Sequence, residues 1–322
     1  MTVNEIEVLA IRQHNATLPG PVARASERTR YRFVEFFTAH IRNANTRRAY
    51  GMAVSSFFSW CEARGVELNE IDAVTVAAYV EQLTSSRAAP TVKLQLAAIR
   101  SCFDWLVTGQ IIPFNPAASV RGPKYSLKRG KTPVLRAEEA RRLLDCIDTT
   151  TMAGLRDRAL IGLMAFSFAR IGAALGMRVA DYCVEREQRW FRLHEKGGKL
   201  HYVPAHPVAI TYLDAYIAAG DIAADSSGPL FRTLDRHGEL TSKSMSHGDA
   251  LKMIKRRARR AALPTTIGCH TFRATGITAY LENGGTIEGA QAIAAHESPR
   301  TTKLYDRRGD RATIEEVQRI AI

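Results

Sequence analysis

The sequence predicts a mainly α protein of two domains. A helical N-terminal domain precedes a mixed α/β domain that is mostly helical and carries a small β-hairpin or sheet. Three observations predict this. The 322 residues suffice for two hydrophobic cores, and 46% hydrophobic content is ordinary for a globular chain. Apolar residues recur at intervals of three and four through most of both halves. Between the halves, Pro113, Pro116 and Pro123 punctuate a stretch in which Arg121, Lys124, Lys128, Arg129 and Lys131 fall within eleven acid-free residues. The expected division is an N-terminal extension over 1–20, the helical domain over 21–120, a basic linker over 121–133, and the second domain over 134–322 with a terminal tail helix. Self-similarity at a fixed period is absent, so a repeat fold is excluded.

Taken in order, Pro19-Gly20-Pro21 predicts a break that closes the extension. The pattern from Arg24 to Gly109 is helical. Tyr50, Val54, Phe57, Phe58 and Cys61 make one apolar stripe, and Gly65 stands where a helix C-terminus belongs. Another helix is expected to start near Pro90-Thr91 and to bury Leu94, Ala98, Ile99, Phe103 and Leu106, with Lys93 and Arg100 on its other face. The aromatic stripe reads as core. In the second domain, helices are expected over 137–147 and 155–169. Strands are expected over 190–194 and 200–204, joined by a turn whose Gly197-Gly198 suits positive φ angles. Helical patterns then resume. Ile314, Val317 and Ile320 stripe a last helix too short to be stable alone.

Lysine and arginine number 45 against 32 acids, a formal net charge of +13. Such an excess points to a polyanionic partner, since cations displace counterions condensed on nucleic acid. Aromatic content of 8% speaks against a base-stacking single-strand binder more than against a duplex binder. The five cysteines (Cys61, Cys102, Cys146, Cys183 and Cys269) are scattered and odd in number, which suggests neither a disulfide framework nor a zinc site. Glu5 and Glu7 stand where a secretory signal would be basic, and the apolar run over 159–169 is too short to span a bilayer. A cytoplasmic protein with no membrane partner is expected. Arg129-Gly130-Lys131-Thr132 mimics the end of a phosphate-binding loop but lacks its upstream glycine, and His194, His201 and His206 lack metal-ligand spacing. No cofactor is expected.

The chemistry concentrates elsewhere. Cys269-His270-Thr271-Phe272-Arg273 sets a histidine and an arginine three apart, on one helix face, where both can meet one anion. His296 follows a glycine-interrupted loop, and Tyr305 comes nine residues later beside Asp306-Arg307-Arg308. A tyrosine phenol is mostly protonated near neutral pH, so an exposed nucleophilic tyrosine needs cations and an accepting imidazole nearby. Arg170 ends the apolar helix before Gly172, Ala173 and Ala174. A half-buried guanidinium is costly without an anion. Alone, Arg170 reads as a structural salt bridge, His270 as a core histidine, and Tyr305 as one of ten tyrosines. Together, Arg170 and Arg273 can clamp a phosphate bidentately and stabilise the charge of its transition state. Lys196, at the hairpin tip, can protonate a departing oxygen, with Lys199 as its competitor.

The series Arg170, Lys196, His270-x-x-Arg273, His296 and Tyr305 resembles the tyrosine recombinase (phage-integrase-like) family over nearly the whole chain. The resemblance implies an N-terminal core-binding domain and a catalytic domain that form a C-shaped clamp on duplex DNA. Tyr305 would attack a phosphodiester to leave a 3′-phosphotyrosyl enzyme, and Lys196 rather than Lys199 would be the catalytic lysine. His296 would support the phosphate. A homotetramer would act on two specific, inverted-repeat DNA sites, and the tail helix would dock into a neighbouring subunit. Arg47, Arg48, Lys93, Arg100, Arg121 and Lys124 are the expected DNA contacts. Two positions depart from the family: Ala173 replaces the usual acid and Ala274 a frequent histidine. The alternatives are a type IB topoisomerase-like nicking-closing enzyme and a non-catalytic DNA-binding protein.

Overall fold

The computed structural model describes residues 18–127, 130–195, 198–264, 266–307 and 318. The chain divides into two compact units, Met1–Ser126 and Leu127–Ile322. The expected tail helix over 311–322 lies outside the described residues, apart from the isolated Gln318.

Among the described residues the first unit is helical: α1 (Gly20–Ala23), α2 (Glu27–Glu35), a π-helical turn over Phe36–His40, α3 (Ala44–Glu62), a 3-10 turn over Leu68–Glu70, α4 (Ala73–Ser86) and α5 (Ala89–Thr108). Pro19 stands just before α1 with extended backbone. It caps α1, whose first turn can hold a proline because that N–H has no helical partner. Asn43 starts α3 by accepting from the backbone N–H groups of Asn45 and Thr46. Gly65 has φ +69°, the left-handed conformation that glycine adopts at no steric cost after a helix end. Val54, Phe57, Phe58 and Cys61 of α3 are buried as expected. The expectation for α5 needs one correction. Leu94 is 45% exposed, and the buried stripe is Val92, Leu96, Ile99, Phe103 and Leu106 with Ala98 and Cys102 beside it. Val92, Leu96, Ile99, Phe103 and Leu106 share one face at the 3.6-residue period, and Leu94, two residues from Val92 and from Leu96, falls on the opposite side. Phe57 meets Phe103 and Tyr79 edge-on, with ring centroids 6.0 and 5.1 Å apart, an arrangement that suits the ring quadrupoles.

The second unit contains α6 (Ala137–Asp145), α7 (Met152–Phe166), α8 (Ile171–Leu175), β1 (Tyr182–Glu185), β2 (Gln188–His194), β3 (Leu200–Pro204), α9 (Pro207–Ala219), β4 (Arg232–Leu234), β5 (Leu240–Ser244), α10 (His247–Arg260), α11 (Cys269–Glu282), α12 (Ile287–Ala294) and α13 (Pro299–Lys303). The expected hairpin is the β2–β3 pair, with Leu193 opposite His201, but it gains β1 as a third antiparallel strand. Phe191 and Leu193 face the core while Arg192 and His194 face away, the period of two expected of a half-buried strand. The separate β4–β5 ribbon was not expected at all. Helix α7 ends at Phe166, three residues earlier than its apolar run, because Phe168 takes φ +54° and turns the chain. It is buried on most sides, and Gly276 of α11 lies so close that a Cβ there would sit 2.0 Å from the Ala165 carbonyl oxygen. Among the described residues, no helix is long and apolar enough to cross a membrane.

Candidate active site around Tyr305

Five of the six expected catalytic residues converge in the second unit; Lys196 lies outside the described residues. Helix α11 carries two of them. Gly268 opens it, its N–H donating to Thr271 Oγ1, and His270 and Arg273 follow one turn apart. Arg273 is 1% exposed. Its Nη groups donate to the carbonyl oxygens of Phe168 and Ala294, and among the described residues no carboxylate bonds it. Its buried Nε–H has no hydrogen-bond partner among the described residues. Burial, then the nearby Arg170 cation, pushes this guanidinium down to about 10, partly offset by Tyr305 and Glu195. It is therefore still protonated at neutral pH.

Both carbonyl partners sit beside left-handed residues. Phe168 itself has φ +54° and Ala295, the C-cap of α12, has φ +47°. Such angles are costly outside glycine and persist only where the surroundings enforce them. Phe168 packs into a small cluster with Ile277, Leu281, Ala290, Ala294 and Tyr305, which holds the strained turn in place. Two residues on, Arg170 caps the N-terminus of α8 with extended backbone. Its side chain is half-buried, and Nη1 donates to Glu195 Oε2 at 2.5 Å.

His296 follows Ala295 directly and is buried. Its Nδ1 shares a hydrogen bond with Thr302 Oγ1 at 2.9 Å, and its ring stacks on Tyr305 at 5.8 Å with a 9° interplanar angle. Burial, then the Arg273, Arg170 and His270 cations, pushes the imidazole down to about 4, so it is neutral at physiological pH. The same influences, packing first and then Arg273 and Arg170, lower His270.

Tyr305 is not exposed, as the sequence suggested, but 7% exposed. Its hydroxyl lies 2.7 Å from His270 Nε2. The segment that carries it is tied down on both sides: Thr278 Oγ1 donates to the Tyr305 carbonyl, and Gly130 N–H donates to that of Leu304. Arg307 Nη2 in turn donates to the Gly130 carbonyl at 3.1 Å. The arrangement is a phenol flanked by two imidazoles with a buried guanidinium beside it. It can present a nucleophile to an anion and neutralise the charge that develops.

Residues 133–311 match the model of the phage integrase family, and residues 33–110 match the phage integrase N-terminal SAM-like domain. The chain belongs to the phage integrase family. It is a tyrosine recombinase, 30% identical over 250 residues to tyrosine recombinase XerC of Myxococcus xanthus, covering 76% of this chain and 79% of that one. With tyrosine recombinase XerD of Chlorobaculum tepidum it shares 27% identity over 284 residues, 86% and 90% of the two chains. Its fold resembles XerH recombinase bound to palindromic difH substrate, with TM-score 0.68, 17% identity, and coverage of 94% and 91%. It also resembles a lambda integrase dimer bound to a core site, with TM-score 0.66, 17% identity, and coverage of 95% and 84%.

The expected DNA contacts of this recombinase separate into two groups. Arg48, Lys93, Arg121 and Lys124 are exposed. Arg47 instead donates to the carbonyls of Ile41 and Arg42, and Arg100 to those of Ala117 and Val120, so both guanidiniums brace their own unit. Lys199 is exposed, and its carbonyl closes the hairpin by accepting from Glu195 N–H at 2.8 Å. A cavity of about 1000 Å³ between α7, the β4–β5 ribbon and α10 is lined by none of the five described site residues. Glu195, Thr302 and the Phe168 carbonyl escaped the sequence reading. Glu195 had one visible signal, an acid directly before the candidate lysine.

Proposed function

We propose that this recombinase exchanges strands between two duplex DNA sites through a 3′-phosphotyrosyl intermediate on Tyr305. The observation that carries the proposal is the 2.7 Å approach of the Tyr305 hydroxyl to His270 Nε2 beside the buried Arg273. With its proton on Nδ1, the neutral His270 ring accepts the phenol proton at Nε2. The phenolate oxygen forms a bond to phosphorus as the bond from phosphorus to the 5′-oxygen breaks. Arg273 and Arg170 hold the nonbridging oxygens and stabilise the added charge of the pentacoordinate transition state. Thr302 donates to His296 Nδ1 and leaves Nε2–H to donate to the phosphate. Lys196 protonates the departing 5′-oxygen. A 5′-hydroxyl from the partner strand then attacks phosphorus and releases Tyr305. One phosphoester replaces another, so the reaction needs no external energy source.

On this reading Arg48, Lys93, Arg121 and Lys124 contact DNA phosphates, and a homotetramer works on paired inverted-repeat sites in the cytoplasm. Structural neighbours include a lambda integrase tetramer on a Holliday junction. The experiment is strand exchange between two labelled duplexes bearing the site that the protein selects from random-sequence DNA. Site-dependent exchange without nucleotide is the expected result. Relaxation of any supercoiled plasmid without exchange would contradict it.

A further inference from the structure

We propose that Glu195 is a positioning residue for strand cleavage: its carboxylate holds Arg170 toward the phosphate and links that arginine to the β2–β3 hairpin. This rests on the role given to Arg170 above. The ion pair is unlike an ordinary surface pair. The Glu195 side chain is 6% exposed and that of Arg170 41%, so the acid sits inside and the guanidinium keeps an open edge. Pairs exposed on both sides contribute little, whereas a buried carboxylate depends on its partner. One Nη of Arg170 is engaged at 2.5 Å, and a guanidinium has five donors in a rigid fork. Fixing one edge orients the other.

The hairpin that supplies Glu195 is itself anchored. Glu195 N–H donates to the Lys199 carbonyl, and the Glu195 carbonyl accepts from Gly198 N–H at 3.2 Å. Just upstream, Arg192 Nε and His194 Nε2 bond the buried Asp181 at 2.7 and 3.1 Å. Ala173, on the short helix that Arg170 caps, is buried and has no carboxylate to offer. The acid that Arg170 meets comes instead from the turn just after β2. Electrostatics point the same way: Arg170 disfavours the charged form of Arg273, and Glu195 favours it. Two guanidiniums aimed at one phosphate repel each other until DNA arrives, and a carboxylate bonded to one of them offsets that repulsion.

The test is single-turnover formation of the covalent adduct on a nicked duplex carrying the selected site. The proteins are wild type, Glu195→Gln, Glu195→Asp, Arg170→Ala and the Arg170→Ala/Glu195→Gln double variant. Glu195→Gln keeps the side-chain size and is expected to slow cleavage by up to about 10²-fold, the cost of a misplaced catalytic group. DNA affinity and unfolding midpoint should stay close to wild type, and Glu195→Asp should fall between the two. The double variant should cleave no more slowly than Arg170→Ala, because Glu195 acts through Arg170. A wild-type rate for Glu195→Gln, with Arg170→Ala impaired, would overturn this inference and leave the function above intact. So would an undiminished Glu195→Gln penalty in the Arg170→Ala background. A wild-type rate for Arg170→Ala would bring down both.

Discussion

Arg257 and Arg273 are both almost wholly buried in the second unit, at 3% and 1% exposure, yet they are held in opposite ways. Arg257 bonds Asp157 through Nε and Nη2, at 3.0 and 2.7 Å. Asp157, with no exposed surface, also accepts from Arg156 and Arg256. That cluster ties α7 to α10 and is satisfied within the protein. Among the described residues, Arg273 has two carbonyls, no bonded carboxylate, and an Nε–H without an acceptor. A buried charge left partly unsatisfied is a standing cost, which a functional anion would relieve. The contrast teaches that burial alone does not mark a catalytic arginine. What sets Arg273 apart from Arg257 is a buried charge that, among the described residues, no carboxylate bonds.

The comparison breaks first on activity. Arg273→Ala should lower single-turnover cleavage by about 10²–10³-fold, the usual loss when a donor to a developing oxyanion is removed. DNA affinity should change far less. Wild-type cleavage by this variant would make Arg273 a structural arginine like Arg257.

On stability the order should reverse. Asp157→Ala strips three arginines of their partner and should destabilise the protein by about 3–5 kcal/mol. Arg273→Met, which removes an incompletely paired charge, should hold or raise the unfolding midpoint. Denaturant unfolding of both variants checks this, and a greater loss for Arg273→Met would show that its carbonyl bonds hold the fold. A smaller effect is expected at Thr302→Val, which leaves His296 Nδ1 buried and unpaired. About 1–3 kcal/mol is the scale of such a loss.

The smallest effect concerns pH. Because His296 is pushed down to about 4 in the folded protein, the unfolded chain binds its proton first as pH falls below about 6.5. Stability should therefore decline from pH 6.5 toward 4, and His296→Asn should flatten that slope by at most one proton. The lowered His270 and His206 act in the same direction, so the slope should not vanish. An unchanged slope in His296→Asn would contradict the assignment.

Much of this site was legible in the sequence. His270 and Arg273 share a helix face by spacing alone, and Arg170, His296 and Tyr305 occur at the family's places. What surrounds them was not. Glu195 reaches Arg170 across a hairpin and a helix cap, a tertiary contact that no local period records. Phe168 and Ala295 take left-handed angles that glycine, not these residues, would have announced. The same limit applied to the fold. Long helices with apolar stripes were readable, but the three residues of β4 and the mostly polar β5 carry no clear alternation. Leu94 misled because any apolar residue near a helix start fits one of two adjacent stripes. The cations Arg47 and Arg100 were readable in the sequence, but the backbone carbonyls that they bind were not.

The central claim is that Tyr305 is the nucleophile, and one measurement addresses it directly. A nicked suicide duplex carrying the selected site is incubated with wild type and Tyr305→Phe, and the protein–DNA adduct is resolved under denaturing conditions. Wild type should accumulate a 3′-linked adduct, while Tyr305→Phe should bind the duplex with similar affinity and form none. An adduct formed by Tyr305→Phe would place the nucleophile on another residue and contradict the account.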